Sequence, residues 1–297
     1  MSVEELRKNL AAGDAIRDAG LTIPEGLKRC LDSPYGPHGK ENLLDVYIPE
    51  NAPTPLPTII SIHGGGWVYG DKELYSHYCM RLAMRGFAVV NFNYRLSPES
   101  KYPAPLEDIC AVMVWVRDNG SAYGIDTENL FMLGDSAGGQ LCAQSLAMLT
   151  NPQYAATFSF PVPGNLKIRA CALNCGCYFF PFSRFLSPKR CGLMMGSYFP
   201  DDYLPLLPQL RLKNHITHRF PPAFVMTARN DYLRWMAKPM YRLLTRKGIK
   251  CRLEIYGTRA QKEVGHVFHV NCKLPIATQC NDDQCAFFRK YIVTRKA

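Results

Sequence analysis

The chain has 297 residues, 47% of them hydrophobic and 20% charged, with 22 Gly and 22 Pro. That length holds one large α/β domain or two small ones, and the composition excludes a fibrous or disordered chain. The formal charge of +10 (35 Lys and Arg against 25 Asp and Glu) raises an anionic partner. However, the basic residues are spread along the chain, with a mild excess over 184–219 and at the C-terminus, and no nucleic-acid motif accompanies them; a solvated surface is expected, and no nucleic acid.

No apolar stretch approaches the roughly 18–20 residues a membrane span requires. The opening MSVEELRKNLAAGD has acidic residues and no apolar core, so it does not read as a secretory signal, and a cytoplasmic setting is expected. Twelve cysteines then read as reduced thiols. Cys171, Cys175 and Cys177, and Cys272, Cys280 and Cys285, form two loose groups without the paired C-x2-C spacing of zinc sites, so no metal is expected.

In chain order, Ser2-x-x-Glu5 is a capping box ahead of Leu6 and Leu10, one turn apart, which predicts an amphipathic helix. Leu44, Val46 and Ile48 alternate as a strand does, and 58–62 is a short β-branched run ending in glycines. A helix over 76–85, a strand over 87–93, a helix over 105–119 and a strand over 129–133 follow. The pattern continues with a helix over 137–150, strands over 169–174 and 223–228, a helix over 231–247, a strand over 251–256 and a last helix over 282–293. Strands separated by helices predict a mostly parallel sheet covered on both faces, in one domain over 1–297. Segments 1–40 and 176–220 break the alternation. The second carries Tyr178, Phe179, Phe180, Phe182, Phe185, Tyr198 and Phe199, which either cover the sheet or line a pocket, and both segments are candidate caps at the carboxyl edge, where open α/β sheets bind ligands.

Gly134-Asp135-Ser136-Ala137-Gly138 satisfies G-x-S-x-G between a predicted strand and a predicted helix, the context that motif requires. A serine on so sharp a turn exposes its Oγ, and side chains two positions away would collide with the flanking strand and helix. The motif alone arises by chance in roughly one chain in ten of this length. Its companion, His63-Gly64-Gly65-Gly66-Trp67 after the strand at 58–62, is far rarer. Gly65 and Gly66 can turn main-chain N–H groups toward a developing oxyanion, with Ala137 N–H as a third donor. The competing phosphate-loop reading lacks both Lys-Ser/Thr and G-x-G-x-x-G. His63 is read as orienting this loop rather than as a base.

A serine nucleophile needs a base and a group to orient that base. Asp231 follows the strand over 223–228 and His266 and His269 follow the strand over 251–256, in the chain order Ser, acid, His. Asp231 also suits a helix N-cap, His269 also suits a packed position, and Asp201, Asp202 and Asp282 follow no predicted strand. His215 and His218 precede the acid.

HGGGW, Asn91–Glu99 (NYRLSPE), GDSAGG, DYLR and HVFHV, in this order, resemble the hormone-sensitive-lipase-like branch of the α/β-hydrolases, from about Asp45 to the C-terminus. The resemblance implies an α/β-hydrolase fold with a small cap, Ser136, Asp231 and His266 as a catalytic triad, Gly65, Gly66 and Ala137 as oxyanion donors, and Asp135 and Glu99 as supporting positions. Trp235 stands where the family has a second acidic residue, and His-Val-Phe where His-Gly-Phe is common, so the choice between His266 and His269 stays open. The expected activity is hydrolysis of short-chain carboxylic esters through an acyl-enzyme, on a small-molecule ester and without metal or organic cofactor. Alternatives are a carbohydrate acetyl or feruloyl esterase, an arylformamidase or small peptidase, and a non-catalytic binding protein of the same fold. A homodimer is compatible with all of them.

Overall fold

The computed structural model describes residues 1–179 and 188–294, without the side chains of 188–191. Phe180, Phe182 and Phe185 of the predicted cap lie outside the described residues. Strands β1 (Leu27–Pro34), β2 (Leu43–Pro49), β3 (Leu56–Ile62), β4 (Ala88–Phe92), β5 (Ile125–Asp135), β6 (Ile168–Asn174), β7 (Ala223–Ala228) and β8 (Cys251–Tyr256) form one sheet in the order β1-β2-β4-β3-β5-β6-β7-β8. The β1–β2 and β2–β4 pairs are antiparallel, and all neighbours from β4 to β8 are parallel. Helices α1 (Val3–Asp18), α2 (Ser76–Ala83), α3 (Ala104–Asn119), α4 (Ala137–Thr150), α5 (Pro152–Ala155), α6 (Pro188–Tyr198), α7 (Leu207–Leu210), α8 (Ala237–Arg246) and α9 (Pro275–Arg289) cover it.

The strand period decides which residue meets which helix layer. Ile60, Ile62, Val90 and Met132 enter a core with Val112 of α3, Leu141 of α4 and Leu244 of α8, while Ile59, Val89, Phe131 and Leu133 point the other way, to Leu82 of α2 and Phe287 and Phe288 of α9. Both faces are buried, so central strands read as continuous apolar runs rather than alternating ones. Phe131 stacks on Phe288 at 4.9 Å, and truncating such a side chain costs about 3–5 kcal/mol.

Three boundaries differ from the sequence expectation. β1 is a strand inside the segment expected to belong to a cap; of its residues only Leu27 is buried, because it is an edge strand held by backbone bonds to β2, and an edge strand needs no apolar face to be one. The helix expected from 231 begins at Ala237, because Asp231 uses its carboxylate in a turn, accepting from Leu233 N–H at 2.8 Å. The last helix begins at Pro275 instead of 282, consistent with the preference for Pro in a first helical turn.

The N-terminal helix forms with the expected cap: Ser2 Oγ accepts from Glu5 N–H at 3.1 Å and Glu5 accepts from Ser2 N–H at 2.8 Å. It is fastened to the segment after β3. Arg7 donates to both oxygens of Glu99 (2.8 and 2.7 Å), to Val68 C=O and to Ser97 C=O, and Tyr69 O–H donates to Asp14 at 2.8 Å. On the other side Trp67 stacks on Tyr198 of α6 at 4.8 Å. Trp67 Nε1 donates to Gln140 of α4, which bonds Gln144, and Gln144 donates to Tyr102 and Tyr154. Helices α1 and α6 thereby stand at the carboxyl edge of the sheet, above the ends of β3 and β5. Among the described residues, no helix is long and apolar enough to cross a membrane, and eleven cysteines are unpaired thiols.

Candidate active site

Strand β5 ends at Asp135, α4 begins at Ala137, and Ser136 between them has φ 54° and ψ −115°. The turn is pinned on both sides: Ser136 N–H donates to Asn174 C=O at 3.0 Å, and Ser136 C=O accepts from Cys177 N–H at 3.1 Å and Gln140 N–H at 3.2 Å. A Cβ on Gly138 would lie 2.3 Å from the carbonyl oxygens of Ile62 and His63, so the close passage of α4 over β3 admits no side chain there. The strained backbone leaves Ser136 Oγ at the carboxyl edge of the central strands.

His266 lies in the loop after β8. Its Nε2 is 2.9 Å from Ser136 Oγ and its Nδ1 is 2.7 Å from Asp231 Oδ1. A carboxylate can only accept, so Nδ1 carries the ring proton and Nε2 is bare, ready to take the serine proton. Asp231 is buried; its Oδ1 also accepts from Leu233 N–H and its Oδ2 accepts from Thr227 O–H at 2.7 Å. Burial pushes its carboxyl up, but the hydrogen bond and charge of His266, with the Leu233 and Thr227 donors, outweigh that and hold it below the usual carboxylate range. Asp231 caps no helix, since α8 starts at Ala237 behind Met236; its carboxylate instead organises a turn and holds the His266 ring.

His269 is elsewhere. It is wholly buried, its ring meets Tyr78 edge-on at 5.3 Å, and neither ring nitrogen has a partner among the described residues. Burial, with the charges of His266 and Arg17, pushes it down to about 3. The competing acids and histidines are also remote: Asp282 pairs with Arg85, Asp201 with Lys101, and His215 stacks on Tyr154 at 3.8 Å.

The glycine loop faces Ser136. Among the described residues, the N–H groups of Gly65 and Gly66 donate to no protein acceptor, and Ala137 opens α4, where N–H groups lack intrahelical acceptors. His63 stacks on Tyr94 at 4.1 Å and donates from Nδ1 to Gly64 C=O at 2.7 Å. Burial pushes it down to about 4, so it is neutral and orients the loop, as its position before the glycines suggests. Asp135 Oδ2 accepts from Tyr75 O–H at 2.8 Å, and burial raises its carboxyl to about 7 against the Tyr75 hydrogen bond and the charges of His266 and Arg17.

These groups open on a cavity of about 140 Å³ walled by Leu10, Asp14, Tyr69, Met194, Tyr232 and Val267. The wall residues from α1 and α6 were not legible in the sequence, because no local motif marks a side chain that arrives from a cap. A larger cavity of about 710 Å³ lies at the opposite edge, between Leu149, Ile168, Phe220 and Tyr291, and its described lining has no serine, cysteine or histidine. The one grouping of metal-ligand type among the described residues is Cys175, Asp231 and His266, within 4.8 Å of one another. Burial beside Asp231 pushes the Cys175 thiol well up, and the other two are already bonded to each other, so the donor set suits a protonated thiol better than a bound ion.

A family model described as alpha/beta hydrolase fold matches residues 59–270. Esterase LipQ of Mycobacterium tuberculosis is 36% identical over 124 residues, 41% of this chain and 30% of LipQ, so the matched stretch spans less than a third of that relative. Carboxylesterase NlhH of Mycobacterium tuberculosis is 28% identical over 218 residues, covering 70% of this chain and 66% of NlhH. The crystal structure of inhibited esterase B from Lactobacillus rhamnosis superposes with a TM-score of 0.85 at 23% identity, over 97% of this chain and 95% of that one, which shows a shared fold. With a family match from β3 through β8 and over both motif-bearing loops, the chain belongs to the alpha/beta hydrolase family, in its hormone-sensitive-lipase-like branch.

Proposed function

We propose that this chain is a serine carboxylester hydrolase in which Ser136, His266 and Asp231 act as a catalytic triad. The observation that carries the reading is the relay from Ser136 Oγ to His266 Nε2 (2.9 Å) and from His266 Nδ1 to Asp231 (2.7 Å). His266 takes the serine proton as Oγ attacks the ester carbonyl, and the imidazolium is stabilised by Asp231. The tetrahedral oxyanion is received by the N–H groups of Gly65, Gly66 and Ala137. Collapse expels the alcohol, which takes the proton back from His266; water, activated by the same imidazole, then releases the acid.

The small cavity, with Met194 so close to Gly66 that a Cβ on the glycine would lie 2.4 Å from its sulfur, favours short acyl groups. On this reading the chain is one domain whose cap is built from α1 and the segment around α6, and it works in the cytoplasm on a small-molecule ester, as a monomer or a homodimer. The relatives named esterases support the ester class. The test is labelling with a fluorophosphonate together with turnover of p-nitrophenyl acyl esters of rising chain length, beside acetylated xylooligosaccharide, a feruloyl ester and N-formylkynurenine. Wild type is expected to be labelled and to prefer the shortest esters, and Ser136→Ala to do neither. Folded wild type that is never labelled and turns over no ester would overturn the proposal.

A further inference from the structure

The two peptide groups that meet at Gly64 Cα are each held by a side chain, and one of those holds comes from a residue outside the relay. Gly64 C=O accepts from His63 Nδ1; Gly64 N–H donates to Tyr75 Oη at 3.0 Å, and Tyr75 Oη lies 2.8 Å from Asp135 Oδ2. A phenol has one proton and can accept as well. Since an N–H cannot accept, Tyr75 accepts from Gly64 and donates its own proton to Asp135. Gly64, Tyr75 and Asp135 are all buried, so water does not substitute for a lost bond.

We propose that Tyr75 is a positioning residue, a strut that ties the loop bearing Gly65 and Gly66 to the residue immediately before Ser136. The inference rests on the esterase reading of that loop. In a trans peptide the Gly64 C=O and the Gly65 N–H point in opposite directions within one plane, so holding Gly64 by its N–H and its C=O sets where the Gly65 N–H points. Asp135 closes β5 and is covalently joined to Ser136, so the strut references the oxyanion donors to the nucleophile itself. Asp135 Oδ1 has no partner among the described residues, so it can carry the carboxyl's proton while Oδ2 goes on accepting, and the strut is compatible with both protonation states. Tyr75 immediately precedes α2, and the adjacent Leu74 C=O accepts from Arg17 of α1 at 3.3 Å, which braces the strut at its base. Electrostatic stabilisation of an oxyanion depends on donors already in place, which is the service this arrangement supplies.

Tyr75→Phe removes the hydroxyl and little else. Its kcat on a p-nitrophenyl ester is expected to fall about tenfold or more with KM within about twofold, its phosphonylation rate to fall in proportion, and amide hydrogen exchange over 63–67 to quicken. Asp135→Asn keeps an acceptor oxygen and should retain most of kcat, whereas Asp135→Ala should fall as far as Tyr75→Phe, with the double variant no lower than the worse single. Should Tyr75→Phe fail to fold by circular dichroism, the contrast between Asn and Ala at 135 carries the test. A Tyr75→Phe kcat within twofold of wild type, a loss confined to KM, or unchanged exchange over 63–67 overturns the strut. Wild type inert to esters and fluorophosphonate would refute the esterase reading instead, and the exchange comparison would still decide the strut.

Discussion

Gly65→Ala puts a number on the oxyanion role proposed for the glycine loop. Gly65 has φ +115°, and a Cβ there would sit 1.8 Å from Tyr69 O and 2.5 Å from Tyr69 C. The contact is with backbone that is itself fixed, because Tyr69 N–H and Val68 N–H both donate to Gly65 C=O, at 3.0 and 3.2 Å. No rotamer relieves the overlap; the turn must open by more than an ångström. Holding a non-glycine residue in so sparsely populated a conformation costs about 1–3 kcal/mol, and a displaced loop no longer presents its N–H within the 2.7–3.1 Å or so that an oxyanion demands. Loss of one such donor lowers kcat about 10²–10³-fold, about 2.7–4 kcal/mol of transition-state stabilisation. KM should move little, since the ground-state carbonyl is weakly held. Steady-state kinetics on p-nitrophenyl acetate, with thermal melts alongside, measure both effects. Gly13→Ala in α1 serves as control, since nothing lies within 4 Å of its added Cβ. A Gly65→Ala enzyme with wild-type kcat would refute the assignment of this loop to the oxyanion, as would a kcat loss explained wholly by an unfolded fraction.

His266→Ala should lower kcat about 10⁴-fold, whereas His269→Phe, which replaces a buried ring with no hydrogen-bond partner among the described residues, should stay within about tenfold of wild type; the reverse ranking on the same substrate would exchange their roles. Asp135 makes stability depend on pH. Its carboxyl is raised from 3.8 to about 7 by burial, so the folded state holds a proton that the unfolded state releases, and the stabilisation is full below about pH 4, declines as pH rises through 7, and then levels off. A shift of this size corresponds to about 4 kcal/mol at most. Urea denaturation of wild type and Asp135→Asn at pH 4.5, 6 and 8 should give a difference that changes across that window, and parallel curves would contradict the burial argument.

How much was readable before folding can be judged from particular residues. Strand periodicity and the Gly-bounded helices located seven of the eight strands, because apolar period and turn chemistry are local properties of a chain. Ser136 was legible for the same reason: a strand, a strained serine between glycines and a helix start occupy adjacent positions. β1 was missed, since Lys28, Arg29, Asp32 and Ser33 give an edge strand no apolar signature. Tyr75, Asp14 and Met194 belong to no motif and carry no local signal, since each reaches the site only through the packing of its own segment.

The amino-acid sequence by itself determined the α/β architecture, the serine turn, the glycine loop and the order of acid and histidine along the chain, all of which follow from contacts within a few residues. Only the tertiary structure set His266 and not His269 beside Ser136, joined Asp231 to its ring, and brought α1, α6 and Tyr75 to the site. Those outcomes depend on pairs separated by 130, 35 and 60 positions. Their distances are set by the order in which strands pack side by side, and no local preference encodes that.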